Sequence, residues 1–157
     1  MAVALLTLGL VGTAALAATV LLGYAVGETV AVGRHFLIAL GSTTLLVMAH
    51  SFIMFFLIAT GVEMKDIEKA RGWGDSFRRR TVALKSRVFP LATLTLLLVM
   101  ANFILGAAAH TRALPPWIHG ALAWTTLAAC VITLVREYEV LGHNNRLIDE
   151  AGRRQRG

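Results

Sequence analysis

Four apolar runs fill most of this chain, at residues 4–26, 36–62, 88–109 and 117–135. Each falls within the range of about 17–25 residues, or beyond it, that an α-helix needs to cross a hydrocarbon core of about 30 Å. Lipid offers no hydrogen bonds to a backbone, so a run of this kind crosses as a helix whose N–H and C=O groups pair internally. The predicted fold is therefore an all-α integral membrane domain: a four-transmembrane-helix bundle with short cytoplasmic helical extensions, residues 1–157 forming one unit. With 57% apolar and 15% charged residues, nothing between the runs is long enough for a second domain.

The Ala-Leu-Ala sequence at 15–17 resembles a signal-peptidase site. No basic segment precedes it and the apolar run is too long for a signal peptide, so this segment is expected to remain as the first span.

Charge sets the expected orientation. The loop 63–87 carries eight basic residues against four acids, and the tail 136–157 carries five arginines against four acids. The opposite turns hold only Glu28, Arg34 and Arg112. By the positive-inside rule the loop and both termini are cytoplasmic, in what the composition suggests is a bacterial inner membrane. The net charge of +6 is accounted for by topology and by attraction to anionic lipid in the bilayer. Trp73 and Phe77 lie in the basic loop, but no recognition motif surrounds them, so nucleic acid is excluded as a partner. Met64, Ile67 and Ala70 continue the second span as a helix. Asp75 after the Gly72-Trp73-Gly74 break is a predicted N-cap for a basic helix running into Pro90. Val140, Leu141, Leu147 and Ile148 recur at helical spacing in the tail. Such projections suit docking to other membrane subunits, a second copy of the chain, or the headgroups.

The chemistry of the spans is carried by histidine. Four of the five, His35, His50, His110 and His119, lie inside or at the lip of the apolar runs. An ionisable side chain at membrane depth points to a functional site, and imidazole is the commonest metal ligand. His35 and His50 are fifteen residues apart, which in a helix is about 22 Å of rise on nearly the same side. Counting the rise from the charge that ends each span places His50 and His119 at one level near mid-membrane, and His35 and His110 at another near the outer surface. That pairing predicts one or two b-type haems with bis-histidine ligation inside the bundle, a common place for cofactors. The ligand spacing resembles that of the membrane dihaem cytochromes b, without a family motif. Ala39, Thr43, Leu46, Met54 and Leu57 share the face of the second span that carries these ligands. Gly106, one turn before His110, would let a ring approach the backbone. Arg34 and Arg112, with Glu28 the charged set of the outer side, would pair with haem propionates or a quinone head, or anchor the helices in the headgroups.

Two alternatives accompany haem. His35, His110 and His119, with Tyr24 and Glu28 near in sequence, could form an outer copper or zinc site, leaving His50 alone. A cofactor-free accessory subunit of a larger membrane complex is the other. Taken singly, His35 beside Arg34 and His119 beside Trp117 sit at interfaces that tolerate polar groups, whereas His50 needs a partner. Asn102, Thr43, Thr44 and the methionines read as packing groups, as does the single cysteine, Cys130. No general acid, base or nucleophile constellation stands out, so an electron-transfer subunit exchanging electrons with quinone or an outer partner is expected in preference to a free-standing enzyme.

Overall fold

The computed structural model describes residues 1–27 and 30–156. Glu28, which the sequence places in the outer charged set, lies outside them. The chain is all-helical: α1 (Ala2–Gly23), α2 (Val32–Arg71), α3 (Ser76–His110) and α4 (Pro116–Arg156). Each helix is long and apolar enough to cross a membrane, as an integral membrane protein requires. Short connections make neighbours antiparallel. α1 packs between α2 and α4, α3 packs on the opposite side of the same pair, and α2 meets α4 across the middle.

Small residues let α1 come close. A Cβ on Gly12 would sit 3.1 Å from Leu46 Cγ, and one on Gly9 would sit 3.0 Å from Leu134 Cδ1. In lipid, helix association depends on such close packing, because burying apolar side chains there gains little. Two apolar clusters hold the four-helix part together. Ala2, Ile53, Leu57, Leu84, Val88, Val140 and Leu141 form one near the start of α1. Leu16, Val20, Leu46, Val99, Ala123 and Cys130 form the other toward its end.

The helices run well past the apolar segments. α2 continues without a break to Arg71, and Gly72 ends it in the left-handed conformation (φ 64°) that glycine adopts without strain. α4 is a single 41-residue helix that includes the whole described tail. α3 passes straight through Pro90. Past the level at which α1 begins, the other three helices therefore form a three-helix extension. Its core is Met64, Phe77, Leu147 and Ala151, covered by Ile67 and Trp73.

The start of α3 is capped in an unexpected way. Asp75 occupies the N-cap position but makes no capping bond, and its carboxylate pairs instead with Arg79 at 3.2 Å. The buried Glu68 of α2 accepts the orphan N–H groups of Phe77 (2.6 Å) and Arg78 (3.2 Å). A carboxylate at a helix N-terminus is favoured by both the hydrogen bonds and the helix dipole. Glu68 thereby ties the end of α2 to the start of α3.

Candidate functional site

Three features along the bundle axis have chemical potential: a buried histidine–glutamate pair, two histidines at the end away from the basic extension, and a run of threonines between them.

His50 of α2 and Glu137 of α4 are both 0% exposed, and His50 Nδ1 lies 2.8 Å from Glu137 Oε1. They sit between the two apolar clusters of the four-helix part: Leu46 and Ile53 flank His50 on its helix, and Cys130 and Val140 flank Glu137 on the same face of its own. Glu137 lies one residue after the arginine that ends the fourth apolar run. In the sequence it belongs to the charged tail, among Arg136, Glu139 and their neighbours. The helix resolves the contradiction by rotation. Arg136 points outward and bonds Glu139 at 3.0 Å, while Glu137, 100° round the helix, points in. The signal was available in the 3–4-residue spacing of Cys130, Thr133, Glu137, Val140, Leu141 and Asn144, which continues the buried face of α4 past the end of its apolar run.

This pair also corrects the depth scale. With Glu137 level with His50, His119 lies eighteen residues farther along α4, about 27 Å of rise, and His35 lies fifteen residues along α2, about 22 Å. His119 is thus at the level of His35 and far from His50, so the expected pairing of His50 with His119 is not formed. The charges that end the apolar runs do not lie in one plane, which is why counting from them misplaced α4.

His35 and His119 both lie at the end of the bundle away from the basic extension. Each ring packs on a glycine of a neighbouring helix. A Cβ on Gly23 of α1 would stand 3.3 Å from His35 Cε1, and one on Gly106 of α3 would stand 3.1 Å from His119 Cε1. Both rings keep a buried Nδ1 without a hydrogen-bond partner. His110, at the last residue of α3, is exposed. Of the three outer histidines, His35 and His119 are half-buried while His110 is exposed. Among the described residues no three His, Cys, Asp or Glu side chains converge on one point, so the three-histidine arrangement of His35, His110 and His119 is not preassembled. Arg34 and Arg112 are exposed at the same end, Arg112 with a positive φ of 60°. Nearby, Trp124 Nε1 donates to the hydroxyl of Tyr24 at 2.8 Å.

Between the two sites, Thr95 and Thr133 share a 2.7 Å hydrogen bond across α3 and α4, and the Thr126 hydroxyl is held on Leu122 O at 2.7 Å. Hydroxyls returned to their own helices or to each other are how polar residues are accommodated in lipid. On the other side of the ion pair, Asn144 Nδ2 donates to Thr60 Oγ1 at 3.2 Å. Cavities of about 340 and 380 Å³ open on the α3 and α4 surfaces of the extension. They are lined by charged residues including Arg80, Arg87, Arg136 and His143, and by none of the four histidines of the spans.

No family model matches the chain, and no curated protein or solved structure does so either.

Proposed function

We propose that this protein is a membrane electron-transfer subunit that carries a b-type haem between His35 and His119, at the end of the bundle opposite the basic extension. The observation that carries the reading is that two rings from different helices lie at the same end of the bundle, each with a buried nitrogen lacking a partner and each resting on a glycine. Two imidazoles brought together from facing helices fit the donor set of a bis-histidine haem. When bound, the haem supplies one-electron chemistry. The chain's own residues fix two ligands, keep the site in a low-dielectric surround, and supply positive charge for the propionates through Arg34 and Arg112. His50 is not part of this donor set, because Glu137 already holds it about 22 Å away along α2.

The orientation belongs to the same proposal. The basic extension and both termini face the cytoplasm of a bacterial inner membrane, and the haem end faces outward, where quinone or an outer-side partner exchanges electrons with it. Single cysteines introduced at positions 76 and 113 test this with an impermeant reagent applied from outside. Reaction at 113 and protection at 76 is the expected result, and the reverse overturns the orientation.

A reduced-minus-oxidised spectrum and a haemochrome assay of the purified protein test the cofactor. A Soret band in the parent that is lost in His35→Ala and in His119→Ala, while His110→Ala retains it, supports the assignment. A colourless protein containing copper or zinc that the same two variants release assigns the histidine pair to a metal ion instead. A colourless, metal-free protein leaves the role of an accessory subunit in a larger membrane complex.

A further inference from the structure

The His50–Glu137 pair has a proton count that does not close. With one proton between Nδ1 and Oε1, the ring is neutral, the carboxylate is charged, and the apolar core holds a net charge of −1. Neutrality requires a second proton. Written as imidazolium with carboxylate, the pair holds that second proton on Nε2; written as imidazole with carboxylic acid, it holds it on Nε2 or on Oε2 of Glu137, and only the first form adds the attraction of opposite charges. Yet Nε2 is buried with no acceptor, as Oε2 of Glu137 is buried with no donor. The loaded state is neutral but leaves an N–H unsatisfied, and the unloaded state relieves the N–H but leaves a buried charge. Neither protonation state satisfies every buried group of the pair. A pair in which each protonation state leaves one buried group uncompensated has the arrangement that proton exchange requires.

Among the described residues no other group in the core supplies the missing charge. α1 carries no ionisable side chain at all. On α2 the next ionisable residue toward the extension is Glu63, exposed and of the wrong sign. On α3 the nearest cations are Arg87, exposed, and Lys85, which lies against Gly61 farther toward the extension. On α4, Arg136 is exposed and paired with Glu139, while the buried Cys130 thiol cannot add positive charge.

We infer that His50 and Glu137 form a proton-exchange site in the bundle core, in which Nε2 of His50 takes up one proton and Glu137 provides the charge that holds it there. The step breaks no bond within the protein: a solvent proton adds to the Nε2 lone pair, and the pair passes from a net charge of −1 to neutral. The inference stands apart from the outer histidines and survives if they hold nothing.

Nitrogen-15 NMR of histidine-labelled full-length protein in micelles or nanodiscs tests it. The His50 ring is assigned by elimination from variants at the other four histidines. As the pH is lowered, Nε2 of His50 is expected to pass from a bare to a protonated nitrogen in the parent. In Glu137→Gln, which keeps an oxygen for Nδ1–H but removes the charge, Nε2 stays bare to the acid limit of the fold, so one titrating ring is lost. Three results overturn the proposal: a His50 ring that keeps one protonation state throughout the folded range, a ring that titrates equally in Glu137→Gln, or an Nε2 signal that is shifted by bound metal and recovers on chelation.

Discussion

Removing one member of the His50–Glu137 pair should destabilise the bundle more than removing both. Replacing His50 with Leu leaves the Glu137 carboxyl fully buried with no partner. Losing one partner of a buried ion pair costs about 3–5 kcal/mol, because the remaining charge must stay or be neutralised in place. Replacing Glu137 with Met leaves an imidazole that is neutral without effort and lacks only a hydrogen-bond acceptor, a cost of about 1–3 kcal/mol. The double variant buries two apolar side chains in a site already bounded by Leu46, Ile53, Cys130 and Val140, and such replacements are often neutral. The expected order of stability is thus parent and double variant above Glu137→Met, with His50→Leu lowest. Unfolding of each protein in mixed micelles by a denaturing detergent, followed by helix content, gives the four free energies. Hydrogen bonds between membrane helices commonly couple by only about 0.6 kcal/mol, so a coupling well above that identifies an ion pair. If the two single losses simply add in the double variant to within about 0.5 kcal/mol, the side chains do not act as a pair and the reasoning fails.

Glu68→Ala removes the acceptor for two N–H groups at the start of α3 and should cost about 1–2 kcal/mol, in the range of an N-cap deletion; faster amide exchange at Phe77 and Arg78 checks it, whereas Asp75→Ala should leave those amides protected. The Arg80 guanidinium holds the Glu150 carboxyl below its ordinary range and is itself raised in return. The stabilisation from this half-exposed bridge is therefore present at neutral pH, amounts to less than about 1 kcal/mol, and fades as pH falls through the lowered Glu150 value. Thermal melts of parent and Glu150→Gln should accordingly differ slightly at neutral pH and converge in acid. Gly106→Val should displace the His119 ring, because even a Cβ would stand 3.1 Å from Cε1, and should lower cofactor retention; Gly120→Val, with open space around its Cβ, is the control that should not.

The helices were legible in the sequence because lipid enforces one rule, internal hydrogen bonding over about 20 apolar residues, and every span obeys it. The extensions were legible through the spacing of Met64 and Ile67 and of Val140, Leu141 and Leu147. What that spacing could not reveal was continuity: α4 crosses from apolar run to charged tail without a break because Arg136, Glu139 and His143 occupy its outer faces while Glu137, Val140, Leu141 and Asn144 hold the inner one. Charge read along the chain suggested an interface at Arg136, whereas charge read around the helix shows that the interior continues. The capping of α3 by Glu68 was hidden for a related reason, since the carboxylate comes from another helix and Asp75 is the better local candidate.

The question that the sequence raised about His50 was therefore sound, and its answer lay in a residue that the charges around it assign to the solvated tail. A histidine at that depth needs a partner, and the partner is a carboxylate whose own depth is set by the register between α2 and α4. That register also decides the outer site. The rise that brings Glu137 to His50 carries His119 to within about 5 Å of the height of His35, so a shift of one helical turn, about 5.4 Å, between α2 and α4 would separate His50 from Glu137 and change the spacing of the two outer rings at once. The ion pair thus fixes the alignment on which the two histidine rings depend, which predicts that His50→Leu weakens whatever the outer histidines bind, from about 22 Å away along α2, to a greater extent than the more conservative Glu137→Gln.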